Sequence, residues 1–98
     1  MTSFELWQKW LQEKVTSPEG DLNIRYFCNT TTAKPVAIVQ VTGKHRLGQF
    51  SVWATGEADY EVAQENGKMV QHKWGMQLQT DDSDLAFGEF LKAVMDEN

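Results

Sequence analysis

The stretch QFSVWATGEADYEV, which runs from Gln49 to Val62, decides the fold. Apolar side chains recur at every second position on both sides of a short loop, a pattern that is typical of two half-buried antiparallel strands. We expect Ala54-Thr55-Gly56 to form that loop, with Gly56 as its left-handed residue. The register then pairs Trp53 with Glu57, Ser51 with Asp59, and Gln49 with Glu61. The stretch therefore predicts a hairpin with one apolar and one polar face.

A second hairpin is predicted directly after the first, because Asn66-Gly67 is a strong signal for a two-residue turn of type I′. The turn leads into a strand over residues 68–77 and sets three pairs: Ala63 with Val70, Glu61 with His72, and Asp59 with Trp74. His72 and Trp74 thereby lie on the same face as the carboxylates of the first hairpin. Since the opposite face is not cleanly apolar, the pattern predicts the register but leaves open which face meets water.

Two helices flank the strands. Phe4, Trp7 and Leu11 fall on one stripe of a predicted helix over residues 3–15. A second helix is predicted after the acidic run 81–84, because carboxylates in a first turn complement the helix dipole. Its apolar residues follow at i, i+3, i+4 and i+7 spacing, which is typical of a helix packed against other elements.

The remaining pattern completes an α+β fold. Alternating side chains predict a strand over 22–29, and the β-branched run 35–41 predicts an inner strand. Residues 43–48 are expected to form a basic loop. We therefore predict a single domain over residues 1–98, in which a meander-like antiparallel sheet of about five strands carries the N- and C-terminal helices on one face.

The charge of the chain is unevenly distributed. Residues 1–49 carry six Lys/Arg against four Asp/Glu, whereas residues 50–98 carry three against ten. The balance is therefore +2 in the first half and −7 in the second. An acidic half repels nucleic acid and anionic membranes, so we expect direct binding of neither. It fits a basic protein partner, or it serves solubility alone.

Cys28 is the single cysteine, which excludes an internal disulfide and fits a reducing compartment. It lies on the apolar side of a predicted strand, so we expect a buried structural thiol. The N-terminal MTSFELWQKW lacks the basic region and apolar run of a secretory signal. No stretch reaches the roughly 20 apolar residues of a membrane span. The expected location is the cytoplasm.

Neither a metal nor a cofactor is expected. His45, His72 and Cys28 lack any metal-ligand spacing, and the glycines form no phosphate-binding loop. Glu61 opposite His72 is the remaining candidate for chemistry, since a carboxylate that orients an imidazole serves acid–base catalysis. No cationic group is expected on that face to stabilise an oxyanion. We therefore expect no enzyme, with a small ribonuclease-like hydrolase that uses His72 and Glu61 as the alternative.

The acidic and aromatic face is the candidate binding surface. Aromatic residues are frequent hot spots of interfaces, and carboxylates complementary to a basic partner speed association and select that partner. The alternative is that both tryptophans are core residues under a helix. The candidate contact residues are Trp53, Glu57, Asp59, Glu61, His72 and Trp74, with Asp81 and Asp82 as a second, weaker contact.

The run FSVWATGEADYEV, followed by a turn glycine and His72, resembles the signature of the TriTu family of immunity proteins. That family has an aliphatic-Ser-aliphatic-Trp strand, a Gly-Glu turn and a strand of alternating acidic residues. These features fall here on Val52, Trp53, Gly56, Glu57, Asp59 and Glu61. The likeness covers residues 49–72 well and the flanks loosely, with departures at Ala58 and around residues 30–32.

The resemblance implies a small cytoplasmic immunity protein. Such a protein neutralises the C-terminal toxin domain of a contact-dependent growth inhibition system, or of a related polymorphic toxin, in competition between bacteria. It implies a basic toxin nuclease that acts on tRNA and works with elongation factor Tu. The predicted face would bind that nuclease stoichiometrically and block its active site or its access to tRNA. An acidic adaptor or chaperone for a secreted effector is the alternative that involves no nuclease.

Overall fold

The residues that the structure describes form five antiparallel strands and two helices. The computed structural model describes residues 3–15, 23–29, 33–78 and 83–95. The elements in chain order are α1 (Ser3–Val15), β1 (Asn23–Asn29), β2 (Val36–Thr42), β3 (Arg46–Trp53), β4 (Glu57–Gln64), β5 (Met69–Gln77) and α2 (Ser83–Met95). The sheet order is β1-β2-β3-β4-β5, so every strand pairs with its neighbour in the chain. The predicted α+β meander is confirmed.

Both helices pack on the same face of the sheet, around Phe50 of β3. The Phe50 ring stacks on Tyr60 of β4 with a centroid distance of 6.1 Å. Its ring also contacts Trp10 of α1 at 6.1 Å, and Phe87 and Phe90 of α2 at 5.2 and 5.5 Å. Burial of each such side chain contributes about 1.5–3 kcal/mol. The predicted apolar face, namely Phe50, Val52, Ala58, Tyr60 and Val62, is fully buried.

The first hairpin has the predicted loop and register. Gly56 has a φ of +87°, and its N–H donates to the Trp53 carbonyl at 2.9 Å. A glycine in the left-handed conformation thus closes the turn. Only a residue without a Cβ adopts this conformation at little cost. Ser51 pairs with Asp59 and Gln49 with Glu61, as the alternation predicts.

The second hairpin has a longer loop than predicted. The Gly67 N–H donates to the Gln64 carbonyl at 2.8 Å, and the Gln64 N–H donates to the Lys68 carbonyl at 2.9 Å. Gly67 has a φ of +88° whereas Asn66 has a negative φ, so the prediction of a type I′ turn is wrong. Asn66 instead accepts the Lys68 N–H through its side-chain oxygen at 3.0 Å. That side-chain bond stabilises a three-residue loop, which an Asn-Gly pair also fits.

The register between β4 and β5 is therefore only partly as predicted. Glu61 pairs with His72, which confirms one pair, but Ala63 pairs with Met69 instead of Val70. The pair of Asp59 with Trp74 is also wrong, because the register shifts between Ala58 and Tyr60.

A bulge at Gly75 produces that second shift. Gly75 has a φ of +72°, and its N–H donates to Asp59 Oδ1 at 2.7 Å. The side chain of Asp59 thus satisfies the backbone group that the bulge takes out of the ladder. Beyond the bulge, Met76 pairs with Ala58 and packs against the core, and Gln77 pairs with Glu57.

Half of the predicted basic loop, residues 46–48, is strand. β3 begins at Arg46, and a tight turn precedes it, in which the Gly43 N–H donates to the Arg46 carbonyl at 2.7 Å. Arg46 is 7% exposed, and its Nη1 donates to the Ala93 carbonyl near the end of α2 at 2.9 Å. A cation here satisfies a carbonyl at a helix C-terminus and complements the helix dipole.

Cys28 is exposed, so the prediction of a buried thiol is wrong. It lies near the end of β1, an edge strand of the sheet. Its sulfur accepts a hydrogen bond from Gln8 Nε2 at 3.4 Å. Neither of the two described helices is long and apolar enough to cross a membrane.

Candidate binding face of the sheet

The face of the sheet that points away from the helices carries the predicted site. Since both helices lie on the other side, no described element covers this surface, which we call the open face. The sequence does not decide which face of the sheet meets water, and in the structure it is the polar face. Its side chains form rows across the sheet, because residues that pair in successive strands point to the same side.

The central row of the open face is polar throughout. It consists of Arg25, Gln40, Gln49, Glu61 and His72, one residue from each strand. Gln40 Nε2 donates to Gln49 Oε1 at 3.1 Å, which links β2 with β3 above the backbone ladder. Arg25 lies at the β1 end of the row and Glu61 with His72 at the β5 end. The row therefore places a cation and a carboxylate at opposite sides of the sheet.

The flanking rows are more apolar. The row on one side of the central row consists of Phe27, Ile38, Ser51 and Asp59. Val36 and Trp53 form the next row. Glu57, which follows the loop of the first hairpin, pairs with Gln77. On the other side lie Thr42, Leu47, Ala63 and Met69. Leu47 and Met69 are about half exposed, as is Phe27. The open face thus mixes carboxylates with several exposed large apolar side chains, which is typical of a surface that binds another protein.

Trp74 is the most exposed aromatic residue of the open face. It is 62% exposed, and its ring lies 4.4 Å from the His72 ring at an interplanar angle of 32°. The bulge at Gly75 follows it and turns the rest of β5 toward the core. The alternative in which both tryptophans are core residues under a helix is therefore wrong. Trp53 is half-buried on this face, between strand neighbours.

The three carboxylates of β4 have different surroundings. Glu57 Oε2 lies 3.8 Å from Lys34 Nζ, and Asp59 accepts the Gly75 N–H. Glu61 has neither an ion-pair partner nor a hydrogen-bond partner for its side chain among the described residues. Asp59 thus stabilises the bulge, and Glu61 is the carboxylate with the most capacity to bind a cation. The expectation that this face holds no cationic group is wrong, because Arg25 and Lys34 both lie there.

Glu61 and His72 lie opposite each other, as the register predicts. No hydrogen bond or ion pair joins the two side chains, although both residues belong to the described part of the chain. His72 instead contacts the Trp74 ring, and both His72 and Glu61 are exposed. The predicted pair is therefore formed in the register, without a bond between the two side chains.

A shallow depression of about 350 Å³ opens on this face between the central row and the row of Leu47. Its lining residues are Gln40, Val41, Thr42, Leu47, Gly48, Gln49, Glu61, Ala63 and Met69. The small side chain of Ala63 lies between Leu47 and Met69 in the register, which makes the surface concave there. Sequence reasoning missed this depression because it placed residues 43–48 in a loop. Alternation continued backward from Gln49 would have put Leu47 on the same face.

The predicted second contact consists of two aspartates that precede α2 in the chain. Asp81 and Asp82 lie outside the described residues. Their neighbour Asp84, in the first turn of α2, accepts hydrogen bonds from Trp10 Nε1 at 2.8 Å and from Lys14 Nζ at 2.7 Å. The hydrogen bond from Lys14, and then that from Trp10, hold the pKa of Asp84 below its ordinary value. Asp84 thus joins the two helices and does not belong to the open face.

Within the described ranges, no group of three or more His, Cys, Asp or Glu side chains is placed to hold a metal ion. Comparison of the chain with models of protein families, with curated proteins and with solved structures finds no match. The fold and the open face define an α+β protein with an uncovered, acidic and aromatic sheet surface. The resemblance to the TriTu family stays a prediction.

Proposed function

We propose that this protein is a cytoplasmic immunity protein that binds and neutralises the C-terminal nuclease domain of a contact-dependent growth inhibition toxin. The toxin would cleave tRNA, alone or in complex with elongation factor Tu, and the immunity protein would protect the cell that makes both. The nuclease and its tRNA substrate come from the resemblance of residues 49–72 to the TriTu family. The mode of binding comes from the open face.

One observation carries the proposal: the open face holds Glu57, Glu61 and an exposed Trp74, and no described element covers it. A nuclease must hold phosphate groups, so the surface around its active site is basic. Carboxylates on a rigid sheet complement such a surface, and an exposed aromatic ring supplies the apolar contact of a hot spot.

A stable complex would occupy only a small part of the exposed surface of this chain. A standard interface takes about 800 Å² from each partner, roughly an eighth of the 6205 Å² that this chain exposes. The five strands give a surface without loops at its centre, which loses little conformational freedom on binding. Inhibition would therefore be stoichiometric, with the sheet face covering the catalytic surface of the nuclease or its tRNA-binding surface.

The alternatives are less well supported by the geometry. A hydrolase would need His72 held by Glu61, and the two side chains share no hydrogen bond in the described structure. An adaptor for a secreted effector would use the same acidic face, but would give no protection against a nuclease.

Co-expression with the toxin domain encoded immediately upstream tests the proposal. We expect growth and intact tRNA in cells that make both proteins, and a 1:1 complex on gel filtration. The variant Glu57→Lys with Glu61→Lys is expected to abolish protection, because it reverses two charges of the open face. This pair is preferable to one that includes Asp59, whose side chain holds the bulge at Gly75.

The matched control is Glu13→Lys with Glu65→Lys, which makes the same change in charge at two exposed positions, one on α1 and one in the turn between β4 and β5. It is expected to protect as well as the wild-type protein does. Failure of the wild-type protein to rescue growth, while it is folded by circular dichroism, would refute the proposal. Equal loss of protection in both double variants would show that net charge, and not this face, governs binding.

A further inference from the structure

We propose that the depression on the open face is a binding site for an arginine side chain of the partner protein. This inference rests on the proposed function, because it names the chemical group with which a basic partner would anchor on the sheet. Three features of the depression support this inference. Its carboxylate has no partner among the described residues, amide acceptors lie beside that carboxylate, and the walls are apolar.

Glu61 is the one carboxylate that lines the depression. Unlike Glu57 and Asp59, it has no partner among the described residues. A cation that enters the depression therefore displaces only water and breaks no existing ion pair. A bond between this carboxylate and a cation would be charge-assisted, and such bonds are stronger than those between neutral groups.

The amides of Gln40 and Gln49 supply a second acceptor. The bond from Gln40 Nε2 to Gln49 Oε1 fixes both side chains and leaves Gln40 Oε1 without a role in that bond. Gln49 pairs directly with Glu61, and its Oε1, an amide oxygen with two lone pairs, keeps the capacity to accept a second bond beside that carboxylate. A planar guanidinium group, with five N–H donors in a fixed fork, can serve two acceptors at once, whereas an ammonium group is a point charge.

The walls of the depression suit the stem of an arginine side chain. Leu47 is 50% exposed and Met69 is 44% exposed, and they flank the small side chain of Ala63. Methylene groups of a long cationic side chain pack against such apolar surface while the charged end reaches a polar group. Met69 adapts its shape to the occupant because its side chain is unbranched and flexible.

A titration with a small probe tests the site without the partner. The probe is N-acetyl-arginine amide, followed by ¹H–¹⁵N NMR, and its neutral counterpart is N-acetyl-citrulline amide, which has the same shape without the charge. We expect saturable shifts in the millimolar range, as is usual for so small a ligand, confined to residues around the depression. The citrulline probe is expected to give no saturable shifts.

Two variants remove the site in different ways. Glu61→Gln removes the charge, and Ala63→Leu fills the depression without changing the charge. Both are expected to abolish the response to the arginine probe. The matched control Glu65→Gln removes an exposed carboxylate from the adjacent turn and is expected to bind as the wild-type protein does. Absence of saturable binding, an equal response to citrulline, or an unchanged response in both variants would overturn the inference.

Affinity for the toxin domain separates a failure of this inference from a failure of the proposed function. If the wild-type protein binds and both variants bind about tenfold more weakly, the arginine site is supported. If all three bind equally, the arginine site is wrong and the proposed function stands. If the wild-type protein does not bind, the proposed function is wrong and the probe titration alone decides the site.

Discussion

At the scale of single residues, Gly48 shows how a missing side chain holds α2 on the sheet. A Cβ at this position would lie 2.7 Å from Phe90 Cε1 and 2.8 Å from Val94 Cγ2. Both neighbours are buried core side chains, so α2 would have to move outward. We expect Gly48→Ala to lower the free energy of unfolding by about 1–3 kcal/mol, measured by urea denaturation.

Gly88 provides the matched control within the same helix. It is exposed in α2, and a Cβ there would meet no atom within 4 Å. Gly88→Ala is expected to raise the free energy of unfolding by up to about 1 kcal/mol, because alanine favours the helix. A Gly48→Ala protein as stable as the wild type would mean that α2 is not packed closely on β3.

At the scale of elements, Asp84 joins α1 to α2. Its pKa is held below the ordinary value of 3.8 by the hydrogen bond from Lys14 and then by that from Trp10. Because the folded-state pKa is below the unfolded one, the stabilisation is present above the ordinary value. It is lost as the pH falls through the lowered value. Asp84 is largely exposed, so the contribution is no more than that of a surface ion pair, about 1 kcal/mol.

The variant Asp84→Asn tests this link between the helices. Asparagine keeps an acceptor for Trp10 but lacks the charge that binds Lys14. We expect the variant to be less stable than the wild-type protein at neutral pH, by urea denaturation. The difference should shrink as the pH falls below 3.8. Glu65→Gln, which removes an exposed carboxylate of a turn, is the control. A difference that stays constant or grows on acidification would contradict the assignment.

The elements also show what the sequence can and cannot predict. The first hairpin was predictable because its alternation and the left-handed Gly56 are local signals. The second loop was not, because Asn-Gly fits two loop lengths and the choice depends on the bond from Lys68 to the Asn66 side chain. The bulge at Gly75 depends on the carboxylate of Asp59, which lies 16 residues earlier in the chain. Such long-range bonds leave no periodic signal.

The candidate site likewise has one part that local signals predict and one part that depends on long-range contacts. Trp53, Glu57, Glu61, His72 and Trp74 lie on one face because a period of two places them there. The depression was missed because it requires Leu47 to belong to β3. Alternation continued backward from Gln49 reaches Leu47, but the burial of Arg46 at the start of the strand depends on its bond to the Ala93 carbonyl of α2. A contact across 47 residues of chain cannot be seen in the sequence around Arg46.

At the scale of the whole molecule, charge and aromatic contact act over different distances. The chain has a net charge of −5, and the excess of carboxylates lies in residues 50–98, which include β4, β5 and α2. A field of this kind attracts a basic partner over about one Debye length, roughly 10 Å at 0.1 M salt. The Trp74 ring acts only once the two surfaces touch. Charge should therefore affect the association rate constant, and the aromatic contact should affect the dissociation rate constant.

We expect Trp74→Ala to raise the dissociation rate constant of the toxin complex about tenfold or more and to leave the association rate constant nearly unchanged. Glu57→Lys with Glu61→Lys should instead lower the association rate constant and flatten its dependence on salt. Surface plasmon resonance at several salt concentrations measures both. Leu85→Ala is the control, since Leu85 is an exposed apolar residue of α2, away from the open face. Faster dissociation in Leu85→Ala but not in Trp74→Ala would place the partner on the helices and refute binding through the sheet.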